Sequence, residues 1–321
     1  MLLAIVGLMI YKSYQQPTNA WGFWAHQQIN RIAVFTLPPE MFDFYKRNID
    51  YISEHAVDPD KRRYANKEEA PRHYIDLDRY GDHPLDSLPH FWNKAVKKYG
   101  EDSLKMHGIV PWHLERTLNT LTEAFKNENF DQILHVSADI GHYIGDAHVP
   151  LHTTKNYNGQ LTGQHGIHGF WESRVPELFY KDYDFFVGKA EYIKNPQELI
   201  WKTIGESYTA KDSVLLLEAK LSATFPADKK YAFENRGATL LKVYSEEYSR
   251  QYQNMLNGMV ERRLRKAIIV TGSFWLTAWT NAGKPDLRRL YDKELSIQKK
   301  KEDAEDDEMW NKGKIQGRGC H

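Results

Sequence analysis

From His142 to His152 the chain reads His-Tyr-Ile-Gly-Asp-Ala-His-Val-Pro-Leu-His, and from His168 to Glu172 it reads His-Gly-Phe-Trp-Glu. Each stretch holds a histidine and a carboxylate four residues apart, with Asp146 as the carboxylate of the first. Residues four apart lie on one face of a helix, with Cβ atoms about 5–6 Å apart, so an imidazole and a carboxylate can close on one ion. Nitrogen and oxygen ligands without thiolates suit zinc. The motif therefore predicts helices that carry a metal site.

The apolar residues around this motif recur at helical spacing. They predict a helix over residues 129–148, in which Gly141 and Gly145 would allow another backbone or an ion to approach closely. The same periodicity predicts further helical segments over 26–36, 112–127, 195–208, 210–222 and, with one break, 229–281. We interpret the segments 49–88 and 150–170 as loops. No sustained alternation of apolar and polar residues predicts strands, so the expected fold class is all-α.

The composition supports a large hydrophobic core and limits the functional classes. Of the 321 residues, 41% are hydrophobic and 13% are aromatic. The 43 basic residues balance the 43 acidic ones, so no global basic field points to duplex nucleic acid or an anionic membrane. Cys320 is the only cysteine, which excludes an intrachain disulfide and a cysteine-type zinc site.

The N-terminal segment has the pattern of an export signal. Leu2–Ile10 is an apolar run that is too short to span a bilayer. No positive charge precedes it, so an uncleaved anchor is the alternative to a signal peptide. Small residues near Ala20 favour cleavage there, which would give a secreted or periplasmic protein with Trp21 as its new N-terminus.

The same reasoning predicts the domain limits. Residues 1–20 are the expected signal peptide, and residues 21–293 are expected to form one domain. From residue 294 onwards the sequence changes to blocks of like charge, such as Lys299–Lys301 and the acidic run that follows. Segments of this composition bury little apolar surface, so residues 294–321 are predicted to be a disordered tail.

Three residues upstream of the motif enlarge the set of candidate ligands. His26 lies five residues after Trp21, and Asp58 lies fifteen residues before His73. Taken alone, each has an ordinary interpretation, because an aspartate before a proline is a common turn residue and single histidines are usually structural polar groups. The order of the whole set changes that interpretation.

From Trp21 through Glu172 this order resembles the zinc-dependent phospholipase C and single-strand-specific nuclease superfamily, and Arg265–Gly283 resembles the closing helix of that family. In the family the mature chain begins with tryptophan, whose amine and carbonyl oxygen bind zinc. The resemblance implies a single multi-helix domain with three zinc ions at the bottom of a cleft. The implied ligands are Trp21, His26, Asp58, His73, His142, Asp146, His152, His168 and Glu172.

The resemblance also divides these ligands among the ions. The three sets are Trp21 with His26, then Asp58, His73 and His142, and then His152, His168 and Glu172. Asp146 would bridge the first two ions. Two zinc ions roughly 3.5–4 Å apart can activate a water and stabilise both ends of a displacement at phosphorus. The implied reaction is phosphodiester hydrolysis by a zinc-bound hydroxide, and we expect Asp58 to orient or deprotonate the nucleophile.

The resemblance favours a phospholipid head group as the substrate. Glu172 and the short interval between His152 and His168 match the phospholipases C, whereas the nucleases usually have aspartate as the last ligand. The choline pocket of the family does not carry over. Its positions are occupied here by Trp24, Pro59 and Ala70.

Two alternatives remain. A single-strand-preferring zinc endonuclease would use Tyr74 to stack on a base and Asp76 to bind a base edge of DNA or RNA. A non-catalytic, secreted zinc-binding module is less favoured, because structural zinc sites are usually closed by four ligands. No protein partner is implied, and we expect a monomer.

Overall fold

The fold is mainly helical, which confirms the predicted all-α class at the level of secondary structure. The computed structural model describes residues 22–236 and 239–312. The expected signal peptide, Trp21 and Cys320 therefore lie outside the described residues. None of the described helices combines the length and apolarity that crossing a membrane requires.

The first half of the chain contains a series of helices joined by short turns. They are α1 (Phe23–Ala33), α2 (Pro39–Arg47), α3 (Ile49–Glu54), α4 (Asp58–Arg62), α5 (Pro84–Ser87), α6 (Trp92–Tyr99), α7 (Glu101–His107), α8 (Val110–Lys126) and α9 (Phe130–Ala147). The short helices α3, α4 and α5 lie within the segment 49–88, so the prediction of a loop there is wrong. Two 3₁₀ turns that matter for the site are Ala70–His73 and Pro150–Thr153.

The second half contains longer helices and one hairpin. Its elements are α10 (Ile167–Gly169), α11 (Val175–Phe179), α12 (Pro196–Thr224), β1 (Tyr231–Arg236), β2 (Thr239–Tyr244), α13 (Glu246–Met255), α14 (Met259–Asn281) and α15 (Ile297–Lys312). One turn of π-helix, Phe170–Arg174, lies between α10 and α11. Turns of π-helix are rare in proteins, and those that occur are often found at functional sites.

Helix α9 lies at the centre of the main core. The side chain of Asn129 accepts a hydrogen bond from the backbone of Gln132 and so caps the helix. From Ile133 onwards almost every residue of α9 is buried, and the helix packs against α1, α3, α8 and α14. The indole of Trp275 in α14 donates to the carbonyl of Ser137 at 3.0 Å. The C-terminal end of α9 is therefore fixed inside the molecule, where it presents the first half of the metal motif.

The segments 195–208 and 210–222 are helical as predicted, and they join into one continuous helix, α12. Two other predictions about the second half are wrong. The first part of 229–281 is not helical but forms the antiparallel hairpin of β1 and β2, with Tyr231 opposite Tyr244. The segment from 294 is not wholly disordered, because α15 packs against α4. Lys61 holds α15 through Asp307 at 2.7 Å.

The two glycines of α9 do permit a close approach, but the approaching groups are side chains of α1 and not the backbone or ion that was expected. A Cβ on Gly141 would lie 1.8 Å from Oδ1 of Asn30 in α1. The amide of buried Asn30 donates to the carbonyls of Ile52, at 3.1 Å, and Ala138, at 3.0 Å. Asn30 thus ties α1 to α3 and α9, and it can do so because residue 141 has no side chain.

Gly141→Ala is expected to lower the free energy of unfolding by about 1–3 kcal/mol, the usual cost of overpacking a core. The new methyl group would displace Asn30, and this outweighs the gain of about 1 kcal/mol that alanine brings to a helix interior. Urea unfolding of the metal-free protein measures the difference. Gly169→Ala is the control, since a Cβ there would meet no atom within 4 Å. A Gly141→Ala protein as stable as the wild type would contradict this role of Asn30.

Candidate metal centre

The predicted ligands that lie within the described residues come together from six elements, and Asp58 is the one exception. The converging side chains are His26 from α1, His73 from the 3₁₀ turn that ends with it, His142 and Asp146 from α9, His152 from the second 3₁₀ turn, His168 from α10 and Glu172 from the π-turn. All of them are buried. Together with Asp60, they form three groups of side chains whose ligand atoms lie close enough to hold metal ions.

The first group consists of His26, His142 and Asp146. Nε2 of His26 lies 3.5 Å from Oδ1 of Asp146, and the rings of His26 and His142 stack with centroids 4.0 Å apart. A Cβ on Gly145 would lie 2.8 Å from Nδ1 of His26. The second glycine of α9 therefore makes room for a candidate ligand from α1.

The second group consists of Asp60, His73 and His142. Oδ1 of Asp60 lies 3.6 Å from Nδ1 of His73 and 3.9 Å from Nε2 of His142. The second carboxylate oxygen of Asp146, Oδ2, lies 3.0 Å from Nδ1 of His73 and 3.2 Å from Nε2 of His142. Asp146 therefore directs one oxygen at each of the first two groups, which is the placement that a bridging carboxylate needs.

The third group consists of His152, His168 and Glu172. The Nε2 atoms of His152 and His168 are 3.1 Å apart, and Oε2 of Glu172 lies 2.7 Å from Nε2 of His168. The other oxygen of Glu172 is 3.5 Å from Nε2 of His26, so this group is contiguous with the first. Three side chains leave at least one position of a tetrahedral ion open, as in catalytic sites.

Backbone carbonyls orient three of the histidines. Nδ1 of His142 donates to the carbonyl of Ala56 at 2.9 Å, and Nδ1 of His152 donates to the carbonyl of His73 at 2.6 Å. Nδ1 of His168 lies 3.2 Å from the carbonyl of Tyr157. Each bond directs Nε2 at the centre, and partners of this kind fix the tautomer of ligating histidines.

The electrostatics of the centre favour a bound cation. Burial alone would raise the pKa of Asp60, but His142 and His73 lower it to about 2. Burial alone would lower the pKa of His142, but Asp146 and Asp60 raise it to about 9. The carboxylates of the centre are therefore balanced in part by a proton on His142. A metal ion would supply positive charge to the same oxygens and displace that proton.

Asp58 is the exception among the predicted ligands, and the structure places Asp60 where Asp58 was expected. Asp58 is the first residue of α4, and its carboxylate binds Nδ1 of His55 at 2.6 Å and Nζ of Lys61 at 3.1 Å. Residues two apart on a helix of 3.6 residues per turn point in nearly opposite directions. Asp60 therefore faces His73 while Asp58 faces away. Pro59, a residue typical of the first turn of a helix, could have indicated this choice.

A further group, His55, Asp58 and Asp303, also has the spacing of a metal site. Lysines already neutralise its carboxylates, since Lys61 binds Asp58 and Lys299 binds Asp303. No cation is needed there to balance the charge, so we do not include this group in the centre.

The two residues predicted to bind substrate are largely covered. Tyr74 and Asp76 are each 6% exposed. The ring of Tyr74 packs against Gly108, where a Cβ would lie 2.5 Å from its Cδ2, and its hydroxyl donates to the carbonyl of Met106 at 3.5 Å. A base could stack on Tyr74 only after its neighbours moved.

The start of α1 lies beside the centre. A Cβ on Gly22 would be 3.8 Å from Oε1 of Glu172. Trp21 lies outside the described residues, so its predicted role as a ligand stays a prediction. The residue that follows it, Gly22, does approach the third group.

Comparison with known proteins adds no family to this geometry. No protein-family model matches the chain, and no curated protein matches it either. The evidence for a metal centre is therefore the arrangement of the side chains themselves.

Asp60→Asn is expected to reduce the affinity for zinc, because the amide keeps the shape of the side chain but loses the charge of the ligand. The loss should exceed the roughly 10–100-fold that follows removal of a residue that only hydrogen-bonds to a ligand. Asp58→Asn is the matched control, two residues away on the other side of α4, and should retain the metal. Elemental analysis after dialysis in zinc-buffered solution measures both. Loss of metal in Asp58→Asn alone would restore Asp58 as the ligand.

Proposed function

We propose that this protein is a zinc-dependent phosphodiester hydrolase, with phospholipase C-like activity as its reaction. The observation that supports the proposal most directly is the sharing of ligands between neighbouring groups. His142 belongs to the first and second groups, and Asp146 directs its two oxygens at both. Shared carboxylate ligands are a means of holding two ions close together, and paired ions suit displacement at phosphorus.

Zinc fits the residues that are present. The three groups offer imidazole nitrogen and carboxylate oxygen without thiolate, and their histidines are oriented by hydrogen bonds on the opposite ring nitrogen. Zinc bound here would polarise a phosphoryl oxygen and lower the pKa of a water molecule. We assign the first ion to Trp21, His26 and Asp146, the second to Asp60, His73, His142 and Asp146, and the third to His152, His168 and Glu172.

The chain's own residues would then position the reactants. Asp60 takes the role that the sequence had assigned to Asp58, since its buried carboxylate is the one directed at His73 and His142. Its oxygen would accept a hydrogen bond from the attacking water. The open side of the third group would receive the phosphate. An open ligand set argues against a purely structural role for the metal.

A phospholipid head group remains the preferred substrate over single-stranded nucleic acid. Glu172 supports this preference through the resemblance to phospholipases C. The covered ring of Tyr74 weighs against the endonuclease alternative, because base stacking needs an exposed aromatic face. Tyr80, another aromatic residue near the site in sequence, is also buried and packs against Tyr99.

The zinc-loaded protein is expected to contain close to three zinc ions per chain and to release diacylglycerol and a phosphorylated head group from phosphatidylcholine or phosphatidylethanolamine. The same sample is offered single-stranded DNA and RNA. Asp60→Asn, the inactive control, should abolish whichever activity is found. Rapid cleavage of single strands with inert lipids would replace the phospholipase by the endonuclease. Inactivity on both classes with zinc bound would contradict the proposed substrates.

Export and processing form a second prediction. We propose cleavage between Ala20 and Trp21 and a secreted or periplasmic location, because a backbone amine can ligate only after processing frees it. The approach of Gly22 to Glu172 supports this role for the new N-terminus. N-terminal sequencing of exported protein should begin at Trp21. A protein that retains one extra residue should bind one zinc less tightly, and full activity with residues 1–20 attached would refute the amine ligand.

A further inference from the structure

A buried carboxylate lies behind one candidate ligand, His73. Oε1 of Glu69 is 3.7 Å from Nε2 of His73, on the side of the ring opposite the metal groups. The other ring nitrogen, Nδ1, faces Asp146 and Asp60. In the part of the chain that the structure describes, Nε2 of His73 has no hydrogen-bond partner. A small rotation of the ring towards Glu69 would give it one.

His73 differs in this respect from the other oriented histidines. His142, His152 and His168 each direct Nδ1 at a backbone carbonyl and Nε2 at the centre. His73 is reversed, because it directs Nδ1 at the centre and Nε2 at a carboxylate. A carboxylate is a stronger acceptor than a carbonyl, so it fixes the proton on Nε2 more firmly and makes the ring a better ligand.

Glu69 is itself held in place by charged and polar groups. It is 0% exposed, and Oε2 accepts a hydrogen bond from Arg72 at 2.7 Å and lies 3.5 Å from Nε of Arg62. The hydroxyl of Tyr143 donates to Oε1. Two arginines and a tyrosine hydroxyl therefore surround this buried carboxylate and offset the cost of removing its charge from water.

The network extends into α9, which also provides two candidate ligands. Tyr143 follows His142 directly, and Nη2 of Arg62 binds Asp139 at 2.6 Å. Arg62 belongs to α4, which holds Asp60. Glu69 is thus connected on one side to the helix of Asp60 and on the other to the helix of His142. A metal ligand set drawn from separate elements needs such a connection to keep its geometry.

We propose that Glu69 is a positioning residue of the second group, which fixes the orientation and proton of His73 and so raises the affinity for metal. The proposal rests on the metal-binding part of the proposed function and is independent of the substrate. Inactivity of the wild type on phosphodiesters would leave it intact, because its test measures zinc binding.

Glu69→Gln tests the proposal with little change of shape. An amide has one acceptor oxygen where the carboxylate has two. It therefore cannot accept hydrogen bonds from Arg72 on one side and from Tyr143 and His73 on the other at the same time. At buffered free-zinc concentrations, the occupancy of one bound ion should require about 10–100-fold more zinc than in the wild type. A long-range ¹H–¹⁵N spectrum of the zinc-loaded protein should also show that His73 loses its single Nε2–H tautomer.

Glu218→Gln is the matched control for a purely structural effect. Glu218 is also 0% exposed and binds three polar side chains, Tyr248 at 2.6 Å, Lys230 at 2.9 Å and Gln164. Among the residues that the structure describes, the printed partners of Glu218 include none of the candidate ligands. Its replacement should lower the stability of the metal-free protein without changing zinc occupancy. If Glu69→Gln behaves in the same way, with an unchanged zinc midpoint, Glu69 has no role in positioning His73 and the proposal is wrong.

Discussion

The burial of one carboxylate, that of Asp146, constrains the arrangement of the rest of the centre. A charge removed from water is costly unless it is paired and hydrogen-bonded. Asp146 lies at the inner end of α9, and four imidazoles surround it: His26 at 3.5 Å, His73 at 3.0 Å, His142 at 3.2 Å and His152 at 3.6 Å. These rings come from four elements of the chain. Helix α1 must therefore approach α9 closely, which explains why α9 accepts two glycines in spite of their cost to a helix.

The sequence predicted the helices well where one face is apolar and failed where that pattern is absent. In the hairpin, Val243 is buried on one face, while Phe233 and Leu240 are 68% and 61% exposed on the other. Apolar residues on both faces remove the alternation by which a strand is recognised. Helix α15 was missed for a different reason. Its charges pair at helical spacing, as Lys299 does with Asp303, and so support a helix that composition alone assigns to a disordered segment.

The candidate site was predictable to the extent that its ligands follow local spacing. The pairs four residues apart, together with His152, are brought together as expected. The choice between Asp58 and Asp60 depends on where α4 begins, and element boundaries are the least reliable part of a sequence prediction. Glu69 lies four residues before His73, so the same spacing rule could have indicated it. Its role became visible only with the arginines and the tyrosine that hold its charge, which come together in the folded chain.

The two ends of the described chain meet beside the centre. Trp310 of α15 packs on Phe23 of α1 with ring centroids 5.5 Å apart, and Asp307 binds Lys61 in the helix that holds Asp60. A domain boundary drawn at residue 293 would cut this contact and expose an apolar ring next to Gly22. The position at which the chain is ended for expression therefore affects the helices that hold the metal centre.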